Sequence, residues 1–141
     1  SCEMIKRKND RLKTALVLAA ILLAVVGGFA SHVYTKNILL EDLEEVNKSY
    51  NIARQSLLAD GINSSLEIDK LESSFDAFTA KYSSYRPLVV RMDGNFSSRN
   101  ADISAAISRS KEAGMQGDAA ASQRQLEEVG DIISAMIRDY Q

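Results

Sequence analysis

Apolar residues obey two different rules along this chain. From Thr14 to Thr35 no position carries a formal charge, and Leu16 to Val26 is aliphatic without interruption. A helix rises about 1.5 Å per residue and a hydrocarbon core is about 30 Å thick, so roughly 20 apolar residues span it. A soluble helix needs an apolar stripe on one side only, whereas this run is apolar all round. The pattern predicts a transmembrane helix over residues 14–35.

Beyond Lys36 the pattern becomes one-sided. Leu39, Leu43, Val46, Tyr50, Ala53 and Leu57 are spaced 4, 3, 4, 3, 4, which describes one stripe of an amphipathic helix or a short coiled-coil seam. Ala59-Asp60-Gly61 supplies the stop, because glycine takes the left-handed conformation at a helix end. A second stripe runs through Ile68, Leu71, Phe75, Phe78 and Tyr82, with Asn63, Ser64 and Ser65 ahead of it as N-cap candidates. Pro87 then breaks the helical pattern and is suited to open a new helix.

The third element is less regular. Val89, Met92, Phe96, Ile103 and Ile107 keep roughly helical spacing, but Asp93-Gly94-Asn95 reads as a turn or kink. Its firm part is expected from Ser97 or Ser98 to Ala113-Gly114. The fourth stripe is the cleanest: Gly117-Asp118 caps it, and Leu126, Val129, Ile133, Met136 and Tyr140 fall at 3, 4, 3, 4. Single proline usage and sparse β-branched residues after the span agree with an all-α chain. Short loops imply antiparallel neighbours. The expected fold is therefore one N-terminal transmembrane helix followed by a small antiparallel helical bundle or two helical hairpins. The stripes are thin, which points to modest stability and a surface completed by a partner.

Charge orients the span. Residues 1–13 hold Lys6, Arg7, Lys8, Arg11 and Lys13 against Glu3 and Asp10, a net +3. Glu41, Asp42, Glu44 and Glu45 follow the span, and residues 36–141 carry 12 basic and 17 acidic residues, a net −5. Basic residues stay on the cytoplasmic side, so residues 1–13 read as a cytoplasmic tail and 36–141 as an extracytoplasmic domain of a single-pass plasma (inner) membrane protein. An acidic domain of this kind offers no basic stripe for phosphate backbones, so nucleic acid is not an expected partner. The rival reading is a cleaved secretory signal, since Gly28-Phe29-Ala30 places small residues where signal peptidase cuts. The uncharged stretch continues to Thr35, which favours a retained anchor. Cys2, the only cysteine, precedes the apolar run, so it makes neither a lipoprotein anchor nor an internal disulfide.

Candidate chemistry is scarce. His32 is the only histidine, and no second ligand stands at i+3 or i+4 to share a metal. The acids at 41–45 and Glu127, Glu128 and Asp131 lie along helices and read as solvated faces rather than cation sites. No Gly-x-Ser-x-Gly elbow or phosphate-binding glycine loop occurs. Neither catalysis nor a cofactor or metal is expected. Ala24 with Gly28, and Gly27 with Ser31, form small-x-x-x-small pairs that let two spans approach closely. Asn47, Asn63 and Asn95 stand in Asn-x-Ser sequons. Arg86, Arg91, Arg99 and Arg109 form a loose basic feature suited to ion pairs with neighbouring helices or with an acidic partner.

The order of parts resembles a family of small bacterial membrane-anchored helical proteins classed only as a domain of unknown function. The matching parts are the span, Tyr34 to Asp60, the aromatic-bearing Leu66 to Tyr85, the apolar Arg86-Pro87-Leu88-Val89-Val90, and the hairpin Ile103 to Ile137 turning at Gly117-Asp118. The second helix lacks the tryptophans usual there. The resemblance implies a membrane anchor and an extracytoplasmic helical domain, with no catalytic residues.

Three functions follow as expectations. The first is a non-catalytic accessory or structural subunit whose partners are the bilayer and other membrane or envelope subunits, or a second copy of itself. Its interface, with a partner or within the bundle, would use Leu39, Leu43, Val46, Tyr50, Leu57, Leu126, Val129, Ile133 and Met136. The second is an extracytoplasmic ligand-binding sensor module, which would call for a second span beyond Gln141. The third is a coiled-coil envelope spacer, limited in length by the breaks at Gly61 and Pro87.

Overall fold

The computed structural model describes residues 2–141, apart from the side chains of Ile62 and Asn63. Every regular element among the described residues is helical. The first helix, α1, is unbroken from Cys2 to Asp60. It holds because its interior contains no proline and because its glycines, Gly27 and Gly28, lie where backbone bonds are satisfied within the helix. The chain divides into two compact units, Ser1–Tyr34 and Thr35–Gln141. The described part of the first holds only the N-terminal portion of α1, whose most apolar stretch of 18 residues is not buried at all. That stretch is long and apolar enough to cross a membrane.

In the second unit α1 ends where Gly61 adopts a φ of +60°, a left-handed conformation that suits glycine. A 3₁₀ turn, Gly61–Ser64, leads into α2, Ser65–Ser84. Ser64 is the N-cap residue but makes no side-chain capping bond, and Asn63 lies outside the described side chains. Pro87 opens the single-turn α3, Leu88–Arg91. Asp93 then forms a turn in which its Oδ1 accepts from the Asn95 backbone N–H at 2.9 Å. Helix α4 runs from Phe96 to Met115, starting one or two residues earlier and ending one or two later than the pattern predicts. Gly117 turns the chain at a φ of +79°, and Asp118 caps α5, Ala119–Tyr140, by accepting from Ala121 N–H at 3.0 Å.

Four apolar stripes face inward and make one core. The α1 stripe from Leu39 to Leu57 is buried throughout, as are all five positions of the α2 stripe and all five of the α5 stripe. In the third element the burial differs from the predicted spacing. Val90 replaces Val89 as the buried residue, and Met92 is 75% exposed. The cause is the turn at Asp93–Asn95: it interrupts the helix, so residues before and after it do not share one helical face. At one end of the core Phe75, Phe78, Tyr82 and Phe96 form an aromatic cluster with neighbouring centroids 4.9–6.2 Å apart, Phe75 stacked on Phe78 and Phe96 edge-on to Tyr82.

Helices α4 and α5 approach each other most closely. The residues between them are small: Ala106, Ser110 and Ser122 are fully buried, and a Cβ added to Gly114 would lie 3.8 Å from Ser122 Oγ. Ser110 Oγ donates to the Ser122 carbonyl at 2.9 Å, and Ser122 Oγ to the Ser110 carbonyl at 2.8 Å. The pair thus satisfies its own buried hydroxyls, which would otherwise cost about 1–3 kcal/mol each. Opposite this seam, Tyr50 of α1 lies across Gly130 of α5, where an added Cβ would overlap the phenol ring.

Gly130→Ala is expected to lower stability. Overpacking costs about 1–3 kcal/mol, against a helix-propensity gain of at most about 1 kcal/mol. Thermal unfolding in detergent should show the loss in the parent chain. In a Tyr50→Leu background the same change should be neutral or stabilising, because the overlapping ring is gone.

Candidate functional site

Three parts of the molecule are candidates for contact with something else: the face of the span, the bundle interior and one recess. On the span, Ala24, Gly27, Gly28 and Ser31 are all exposed, and a Cβ added at either glycine meets nothing. Their spacing leaves a shallow groove along one side of the helix, of the kind that lets a second helix approach closely in lipid. His32, next to this stretch, is half-buried on α1.

The interior positions are occupied from within the chain. Leu39, Leu43, Val46, Tyr50 and Leu57 of α1 and Leu126, Val129, Ile133 and Met136 of α5 are each between 0 and 8% exposed. The structure brings these two groups into one core with α2 and α4. They are bundle contacts, so a partner meets other side chains first.

A recess of about 480 Å³ opens at the end of the bundle where α1 gives way to α2 and α4 to α5. Leu57, Ser64, Ile68, Gly114 and Ser122 line it, with the Lys111–Asp69 pair at its rim. Lys111 Nζ lies 3.0 Å from both Asp69 Oδ1 and Glu72 Oε1. Hydrogen bonds to these two carboxylates raise the lysine pKa, so it stays charged. The Ser122 hydroxyl is committed to Ser110. The recess is thus apolar in its floor, and its strongest polar groups are satisfied by one another.

The acidic residues turn out less free than their pattern suggests. Asp42 accepts from Lys81 Nζ at 2.7 Å and from Tyr82 Oη at 2.6 Å, which ties α1 to α2. Glu41, Glu44 and Glu45 remain exposed. Glu128 lies 3.4 Å from Arg109, whose Nε also donates to Gln125 Oε1 at 2.8 Å. Arg99 meets Asp139 at 2.7 Å. Two of the four arginines singled out by the sequence therefore bridge α4 to α5, and Arg86 and Arg91 stay exposed at the other end of α2. Asp93 accepts from the Tyr140 hydroxyl and fixes the last turn of α5. Among the described residues no group of three or more His, Cys, Asp or Glu converges as a metal site would require. Asn47 is half-buried and Asn95 exposed, while the Asn63 side chain lies outside the described residues.

Gly130, Asp93 and the Ser110–Ser122 pair are structural residues that the hydrophobic stripes do not reveal. Gly130 had a signal of its own: a glycine inside a strongly periodic helix costs about 1 kcal/mol and calls for a packing reason. No family model, curated protein or solved structure matches this chain.

Burial raises the pKa of Tyr50, Tyr82 and Tyr140 above the ordinary phenol value of 10.0, and the carboxylates of Asp42 and Asp93 push Tyr82 and Tyr140 higher still. A raised folded-state value means stability that is complete below pH 10 and is lost as pH climbs through the folded-state values. The tyrosine contribution should therefore lower denaturant midpoints on the alkaline side of pH 10, together with the appearance of phenolate absorbance. Replacing Tyr82 and Tyr140 by Phe should flatten that fall.

Proposed function

We propose that this chain is a non-catalytic, membrane-anchored accessory or structural subunit. It sits as a single-pass protein in the plasma (inner) membrane, with residues 1–13 in the cytoplasm and residues 36–141 outside. One observation carries this reading above the others. A single unbroken helix holds both the exposed apolar run and, from Leu39 on, one wall of the bundle core. Anchor and folded domain thus share an element, which suits a protein that displays a helical surface at a membrane. The charge split of +3 before the span and −5 after it supports the orientation.

The groove of small residues on the span supports docking within the bilayer, since lipid-facing helices associate through close packing rather than through exclusion of water. The filled core bears on the coiled-coil alternative. A parallel dimer through the Leu39–Leu57 seam would have to displace α2 and α5 from residues that are at most 8% exposed. The sensor alternative draws on the recess beside Leu57, but the Lys111 and Ser122 groups there already hold internal partners.

Extraction in a mild detergent followed by size measurement is expected to find the chain in an assembly larger than its own micelle-bound monomer. Ala24→Leu with Gly28→Leu should shrink that assembly while the protein stays in the membrane fraction. Leu22→Arg with Val25→Arg should release it, because each arginine near the centre of a span costs about 2.5–3.5 kcal/mol. A wild-type protein that runs as a uniform monomer would overturn the subunit reading.

A further inference from the structure

The bundle carries one surface segment whose chemistry is opposite to the rest of it. Between Ser83 and Met92 there is no acidic residue, and Arg86 and Arg91 are both exposed. The domain around it, residues 36–141, is net −5. The same segment also exposes its large apolar side chains: Tyr85 at 61%, Leu88 at 47% and Met92 at 75%. The short helix α3 is thus inverted. Val90 faces the core at 2% exposure, while Leu88 and Met92, four residues apart and joined by the Met92 N–H to Leu88 carbonyl bond of 2.9 Å, share the outward side. Pro87 is buried and holds the turn in place, and its carbonyl accepts from Val90 and Arg91 N–H at 3.0 Å.

The position of this segment gives the pattern a meaning. Asp42 of α1 meets Lys81 and Tyr82 of α2, and further along Val46 shares a surface recess with Ala77 and Phe78, so α2 runs antiparallel to α1. Residues after Tyr82 therefore continue toward the end of the bundle where α1 enters it. Asp42 is only seven residues beyond Thr35, about 10 Å of helix, where the uncharged run stops. The headgroup layer outside the hydrocarbon is itself about 5–8 Å deep on each side. Exposed tyrosine, leucine and methionine flanked by arginine is the composition that partitions into such a layer: apolar bodies enter the acyl boundary and cations meet phosphates.

We propose that Tyr85, Arg86, Leu88, Arg91 and Met92 form an interfacial foot that rests on the anionic phospholipid surface of the membrane holding the span. The proposal depends on residues 14–35 being a retained anchor. The occupant is lipid rather than an acidic protein because the foot belongs to the end of the bundle joined to the span, and because its exposed apolar residues and arginines lie together in a segment without an acidic residue. Docking here restrains the bundle at a second point and offsets the repulsion between an acidic domain and an anionic bilayer.

The chain has no tryptophan, so a single introduced one is a clean reporter. Full-length Met92→Trp, Met115→Trp and Leu22→Trp would each be reconstituted into vesicles whose lipids carry bromine at the upper acyl chain. The vesicles would be phosphatidylcholine alone or mixed with phosphatidylglycerol. Leu22→Trp reports the span, and Met115→Trp, 82% exposed beside the recess, reports a surface away from the foot. Bromine should quench Met92→Trp and shift its emission to the blue in the anionic vesicles, and should leave Met115→Trp unquenched. Arg86→Gln with Arg91→Gln, added to Met92→Trp, should weaken the docked state roughly 25-fold, about fivefold for each arginine. If Leu22→Trp is quenched but Met92→Trp is as bright as Met115→Trp, the foot does not exist. Quenching of Met92→Trp that ignores both phosphatidylglycerol and the arginine changes also overturns the proposal, as does protection that appears only when another protein is added. Loss of quenching at Leu22→Trp itself would instead strike at the anchor on which the foot depends.

Discussion

Water and lipid make incompatible demands on a helix, and α1 carries a pattern suited to each within one uninterrupted hydrogen-bonded backbone. Over residues 16–26 every side chain is aliphatic, so this stretch of the helix is apolar on every face, as a helix able to cross a membrane must be. Further along, the same helix shows a single stripe, from Leu39 to Leu57, with Glu41, Glu44, Glu45 and Lys48 outward. The switch needs no break in the backbone, since hydrogen bonds along a helix are indifferent to what its side chains meet. Everything in the second unit then follows from that stripe. It supplies one wall, and α2, α4 and α5 are the amphipathic partners that keep it from water.

Within the bundle, geometry is fixed less by the aliphatic residues than by a few exceptions to them. Tyr82 and Tyr140 each end a stripe with a hydroxyl, and each finds an aspartate on another element. Placing a phenol at the margin of the core lets its ring be buried while its oxygen keeps a partner. Ser110 and Ser122 do the reverse at the centre of the α4–α5 seam, where reciprocal bonds to backbone carbonyls let two helices come close. Gly130 makes room for the one aromatic ring that α1 contributes. These contacts select one register among the many that leucine-like packing alone would tolerate.

Most of the architecture was legible in the sequence because it rests on periodicity. The α1, α2 and α5 stripes could be read off as 3–4 spacings, and glycines 61 and 117 marked ends that do take positive φ. Between Pro87 and Phe96 the helix opening and the Asp93 turn were legible, but the inward positions were not, because helical spacing does not carry across a turn. That is why Val90 rather than Val89 is inside, and why Met92 is outside. Asp42 and Asp93 were opaque for another reason. Their partners, Tyr82 and Tyr140, stand forty and forty-seven positions away, and no local pattern encodes such a pairing. The small-residue face of α1 at Ala24, Gly27, Gly28 and Ser31 was visible as a spacing.

The placement of α5 has a consequence for how the protein is made. Chains emerge from the ribosome in order, and α5 is the final helix of the bundle. Until it arrives, the α1 stripe and the small-residue side of α4 lack the surface that covers them. A nascent domain in that interval resembles an open book held by its spine, with greasy pages turned toward whatever lies nearby.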